Sequence, residues 1–142
     1  MRMNRYLFTY GTLMSGRKRN DILKKLFFHY VSSGKLNGFN LRHYPAGDYP
    51  VILDSHSGGI VDGEIWAFPS IGESEWDDAM AKRILEILDQ IEGVGNRLYE
   101  RRVFKHGDTK EYYYYAGVPE TWHNQPLVDP KYDGRHYWMG GV

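Results

Sequence analysis

Cysteine is missing from all 142 residues. That absence excludes disulfides, thiolate nucleophiles and cysteine-ligated metals, and it suits a cytoplasmic protein. Charge of one sign is missing too: 18 Lys plus Arg balance 18 Asp plus Glu. Nothing in that balance draws the chain to nucleic acid or to an anionic membrane. The N-terminal MRMNRYLFTY begins basic, but its apolar run is too short for the core of a signal peptide. No stretch approaches the roughly 20 apolar residues of a membrane-spanning helix. Neither nucleic acid nor membrane is therefore expected as a partner. The signature GxxxxGK[ST] does not occur, and GVGNRL follows a helical pattern and lacks the third glycine of a dinucleotide fingerprint. His29, His43, His56, His106, His123 and His136 show none of the paired spacings of metal ligands, and no GxSxG elbow is present. No metal and no cofactor is expected.

What is present is aromatic. Tyr, Phe and Trp make up 15% of the chain, with 12 Tyr among them, and such residues suit the pleated surface of a sheet. The length fits a single domain spanning residues 1–142, large enough for a real core. RYLFTY (5–10) is apolar on both faces and predicts a central strand. YGTLMSG (10–16) follows as a turn with apolar Leu13 and Met14 inside it, which predicts that those two side chains anchor the loop. A helix is predicted over 20–29, with Ser15 or Asn20 as its cap. VSSGKLNGFNLRHY (31–44) reads as two short strands, PVILD and GIVDGEIWAF as a hairpin across SHSGG, and LYERRVFKH with KEYYYYA as a second hairpin. A long helix runs from about Trp76 to Glu92 and stops at GVG. Residues 119–142 form a tail rich in Pro, Gly and aromatics. This order argues for an α+β fold, a mostly antiparallel sheet with two helices. The run YYYY (112–115) resembles a stacking platform for bases, but alternation on a strand distributes its rings over both faces of a sheet.

One acid stands on the wrong face of the long helix. At roughly 100° per residue, Met80, Ile84, Leu85, Ile87, Leu88 and Ile91 fall within one arc, while Arg83, Glu86 and Gln90 lie opposite. Glu92 falls between Leu88 and Leu85, inside the apolar arc. Burial there, the negative end of the helix and a nearby Asp89 all favour the protonated acid. A carboxyl raised towards neutrality is what a general acid/base needs. The alternative is that the helix frays before Gly93, and that Glu92 reaches solvent or pairs with Arg97, Arg101 or Arg102.

RYLFTYGTLMSG with Asn20 behind it, VDGEIW (61–66), LDQIEG (88–93) and LYERR (98–102) occur together in this order. With these the chain resembles the γ-glutamyl cyclotransferase-like superfamily, which includes γ-glutamylamine cyclotransferase and AIG2-type proteins. The likeness runs from about Arg5 to Ala116. It implies an α+β fold around a small β-barrel, with two flanking helices and a substrate cavity beside the first strand-to-helix loop. It also implies that Tyr10, Gly11, Thr12 and Leu13 line that cavity and that Glu92 is the catalytic acid/base. Three features depart from the pattern. AFPSIGESEWDDAMAKR is long, Met14 stands where many members carry a basic residue, and the tail with Trp122, His123, Tyr137 and Trp138 has no counterpart.

The implied reaction closes a γ-glutamyl amide on itself: the α-amine attacks the γ-carbonyl, 5-oxoproline forms and an amine or amino acid leaves. The substrate supplies the nucleophile, so no Ser or Cys is required. The enzyme must fold the substrate for attack, and move protons, which Glu92 can do. Backbone N–H groups of residues 11–13 suit developing negative charge, since Gly11 permits close approach and the loop leads into a helix. Tyr10 and Tyr99 are further candidates, as hydroxyl donors to the substrate, and Arg101 as an anion partner. Other functions stay open from sequence: a non-catalytic module binding a small molecule or protein, or an amide hydrolase using Glu92 to activate water. A small γ-glutamyl compound is the expected partner, with the chain a monomer or homodimer.

Overall fold

The structure, a computed structural model, describes residues 3–11, 13–14, 19–46, 49–128 and 136–137, the side chains of 49, 136 and 137 excepted. Strand β1 (Asn4–Thr9) occupies the middle of the larger sheet, as its two apolar faces require. It pairs antiparallel with β5 (Ile60–Ala67) on one side and parallel with β7 (Lys110–Gly117) on the other. The sheet continues outward to β2 (His29–Asn37) beyond β5 and to β6 (Tyr99–His106) beyond β7. The two-residue β8 (His136–Tyr137) adds to β5. Strands β3 (Phe39–Tyr44) and β4 (Tyr49–Asp54) form a separate antiparallel pair.

Two expectations about this architecture change. The sheet does not close into a barrel: β2 and β6 lie at opposite ends of the strand order and do not pair. PVILD and GIVDGEIWAF do not form a hairpin either, because β4 pairs with β3 across residues 45–48 while β5 takes β1 and β2 as neighbours. Ser55–Gly59 therefore connects two sheets. The hairpin of β6 and β7 forms as its pattern predicts.

There are three helices among the described residues, not two. The first, α1 (Asn20–Lys25), is shorter than its apolar spacing suggests. Phe27 adopts φ 63°, which ends the helix and turns Phe28 inward, where it is 5% exposed. Arg19 occupies the cap position, with no side-chain cap bond, and Ser15 lies outside the described residues. The long helix α2 (Ser74–Ile91) buries Ala81, Ile84, Leu85 and Leu88 on the arc read from the sequence. It stops because Gly93 takes φ 68°, a left-handed conformation that glycine adopts without the Cβ penalty. The third, α3 (Pro119–Trp122), is a single turn with proline at its first position. Its Trp122 is buried, donates from Nε1 to the Leu98 carbonyl at 2.7 Å, and packs against Tyr44 and Tyr99. Part of the tail is thus core.

Alternation along β1 divides the interior in two. Leu7 belongs to a cluster with α2, Trp66, Phe68 and Trp122, whereas Phe8 and Tyr10 belong to a second cluster with Phe39, Leu41, Ile52 and Val61. The tyrosine run obeys the same rule: Tyr113 and Tyr115 join the first cluster and Tyr114 the second. Its rings are spent on neighbours, Tyr112 on Tyr6 and Tyr114 on Phe39.

Candidate active site

The C-terminal end of β1 and the C-terminal end of α2 meet over one cavity of about 80 Å³. At roughly 10–15 Å³ for a single water, that is room for several waters or for the head of a small substrate. Tyr10, Gly11, Leu13, Glu92 and Tyr99 all line it. The sequence-based assignment thus falls on one place, except Thr12, which lies outside the described residues.

The loop after β1 is pinned from several sides. Leu13 is buried in the first core cluster and Met14 in the second, so the two apolar residues of the turn fasten it to both halves of the interior. The buried Asn20 donates from Nδ2 to the Leu13 carbonyl at 2.8 Å. Met14 N–H donates to the Gly11 carbonyl at 3.0 Å. A Cβ at Gly11 would overlap the ring of Pro50, so glycine is required here by the packing of β4 against the loop. Among the described residues α1 begins at Asn20, with Arg19 at its cap position.

Both tyrosines turn out to hold the wall of the cavity. The Tyr10 hydroxyl donates to the Tyr115 carbonyl at 2.6 Å, and the Tyr99 hydroxyl donates to the Pro50 carbonyl. Their hydrogens are engaged with the backbone, which corrects the expectation that they donate to a ligand. Tyr115, a lining residue that sequence reasoning missed, donates in turn to Asp89 at 2.7 Å. Burial, then Tyr99 and Glu92, push the Tyr10 phenol well above its ordinary range.

Glu92 follows the last residue of α2 and closes one side of the cavity. The residue as a whole is only partly buried, yet enough protein surrounds its carboxyl that burial pushes the pKa from 4.5 to about 7. The positive charge of Arg19 opposes that rise. The three arginines that could have neutralised it are engaged elsewhere: Arg97 with Glu120 at 3.8 Å, Arg101 with Asp89 at 3.0 Å and Arg102 with Asp54 at 3.0 Å. Asp89 is likewise taken up by Arg101 and Tyr115, so the proposed like charge does not act on Glu92. Burial alone carries the shift.

Besides Tyr115, two polar residues at the cavity had no sequence-based assignment. Thr9 is 4% exposed and its Oγ1 is buried without a hydrogen-bond partner. Arg19 lines the same space, with one long contact of 3.5 Å from its guanidinium to the Ile91 carbonyl. A hint of Thr9 was available, as the polar position of a strand otherwise apolar on both faces. Nothing local to Arg19 marked it.

An α+β fold that brings the end of its central strand beside one carboxyl of near-neutral pKa frames a candidate site for a small molecule. The chain belongs to the family described as Gamma-glutamyl cyclotransferase, AIG2-like, whose sequence signature matches residues 7–135. Among solved structures it is similar to an AIG2-like protein from Mus musculus, at 21% identity and a TM-score of 0.62 over 95% of each chain. It is also similar to c4763, a uropathogenic E. coli-specific protein, at 19% identity and a TM-score of 0.60 over 89% of this chain and 88% of that one. The fold recurs within Kluyveromyces lactis allophanate hydrolase, at 12% identity and a TM-score of 0.61, over 90% of this chain and 19% of that one. At these identities the structures speak for the fold. No curated protein matches the sequence. Membership of the family supports an enzyme acting in general on γ-glutamyl amides. Among the described residues, no helix is long and apolar enough to cross a membrane.

Proposed function

We propose that the protein is a γ-glutamyl cyclotransferase in which Glu92 is the general acid/base. One observation carries this reading: a carboxyl with a pKa of about 7 in a cavity bounded by Tyr10, Gly11 and Leu13. Near neutrality both protonation states of such a group are populated, so it can take a proton and give it back. The Glu92 carboxylate accepts a proton from the substrate α-ammonium. The freed amine attacks the γ-carbonyl, a C–N bond forms and charge moves onto the carbonyl oxygen. Backbone N–H groups of Gly11 and Leu13 receive that charge. The intermediate then collapses, the bond to the original amide nitrogen breaks, and Glu92 returns its proton to that nitrogen. The second proton of the former ammonium follows the same route. The products are 5-oxoproline and the free amine, with protons balanced and no water consumed.

Tyr10 and Tyr99 serve as walls of the site, held by their bonds to the backbone. The pinned loop keeps the substrate folded, and such positioning contributes several kcal/mol by order of magnitude. The test is incubation with a panel of γ-glutamyl amines and γ-glutamyl amino acids, with chromatographic detection of products. 5-Oxoproline is expected; free glutamate in its place would mark a hydrolase. Glu92→Gln is expected to lose about 10²- to 10⁴-fold in kcat, and full activity in that variant would sink the mechanism.

A further inference from the structure

Glu92 and Arg19 are the two charged residues lining the cavity; the remaining described lining is apolar, aromatic or hydroxyl-bearing. The arginines Arg5, Arg83, Arg97, Arg101 and Arg102 each meet a carboxylate, at distances from 2.6 to 3.8 Å. Among the described residues, Arg19 meets only the carbonyl of Ile91. That carbonyl is the last of α2, at the negative end of the helix, a favourable seat for a cation. A guanidinium held by one long bond keeps most of its N–H donors for another acceptor, and a planar fork of donors matches a carboxylate. Thr9 lines the cavity too, but its hydroxyl is enclosed by protein and does not face the open space.

We propose that Arg19 binds the α-carboxylate of the γ-glutamyl group. This rests on the reading of the cavity as a γ-glutamyl site. The α-carbon carries both ammonium and carboxylate, so a substrate whose ammonium reaches Glu92 must place its carboxylate close by. Arg19 is the cation whose field reaches Glu92. One acid and one base in a described lining that is otherwise uncharged fit the zwitterionic head of an amino acid. The preference that follows is for substrates with a free α-carboxylate, whatever amine leaves.

The carboxylate survives ring closure, so binding of 5-oxoproline tests the assignment without turnover. Calorimetry compares 5-oxoproline with its uncharged carboxamide on the unaltered protein, Arg19→Met and Arg19→Lys. The unaltered protein is expected to favour the acid by about ten- to a hundredfold, the scale of a hydrogen bond to a charged group. Arg19→Met loses that preference and Arg19→Lys keeps part of it, with melting temperatures unchanged. A merely structural role for Arg19 would move both ligands together. An equal preference in Arg19→Met, or no discrimination or no binding by the unaltered protein, would overturn the proposal. Failure of the catalytic reading is separately visible: 5-oxoproline would bind with the Arg19-dependent preference while no γ-glutamyl compound yields lactam.

Discussion

Replacing Glu92 by Gln should cost activity and at the same time stabilise the fold, by an amount that depends on pH. The carboxyl has a pKa of about 7 in the folded chain against 4.5 for the ordinary group. Between these values the unfolded chain releases its proton while the folded chain retains it. Stability contributed by the protonated acid is therefore fully present below pH 4.5 and is lost as pH rises through 7. The interval corresponds to roughly 3 kcal/mol. Gln has the shape of the protonated acid and does not titrate, so it keeps that stability at every pH. Near pH 4.5 the two proteins should melt together; at pH 8 the Gln variant should be more stable by up to about 3 kcal/mol. For a domain of this size that is on the order of 10 °C in Tm. The assay is thermal or urea unfolding of both proteins from pH 4.5 to 8, with kcat measured in parallel. A stability difference that does not grow with pH, or grows only below pH 5, would refute a carboxyl buried in this cavity.

Three other substitutions probe the frame around it. Thr9→Val keeps the shape of the side chain and removes a buried hydroxyl without a partner. The variant should melt at the same temperature or higher in thermal unfolding; a lower melting temperature would contradict a buried hydroxyl without a partner. Gly11→Ala sets a Cβ against the Pro50 ring, so the loop or β4 must shift. A loss of roughly 1–3 kcal/mol is expected in urea unfolding, the usual cost of overpacking, with kcat falling further than KM rises because the loop is displaced from the reacting carbonyl. Tyr10→Phe removes the hydrogen bond to the Tyr115 carbonyl and should cost about 1 kcal/mol in the same unfolding assay, with activity reduced far less than in Glu92→Gln.

The uneven legibility of this chain has a physical cause. Hydrophobic periodicity reports which faces are covered, and that is enough to make β1 central, to orient α2 and to single out Glu92 as an acid on a buried arc. It does not report which strand covers which. PVILD lies beside GIVDGEIWAF in sequence, yet β4 prefers the closer partner β3 and packs over β7, where Val51 fills the space a side chain at Gly117 would need. That choice brings Pro50 against Gly11 and Tyr99, and so builds a cavity wall from a segment no motif marks. Leu13 and Met14 show the converse case. Their apolar character inside a turn was visible, and the reason is that the turn spans two cores rather than one.

The charges of the site divide along the same line. Glu92 could be found because an acid violates the pattern of its own helix. Arg19 violates nothing: a basic residue before a short helix is ordinary, and its significance arises only from the end of α2 brought beside it by the fold. A carboxyl raised by burial with nothing to oppose it would hold its proton at neutral pH, leaving little carboxylate to accept one. The same cation that opposes the rise keeps the pKa from climbing beyond about 7. Burial and Arg19 thus act in opposite directions on one group, and their balance, rather than either by itself, leaves Glu92 able to exchange a proton at neutral pH.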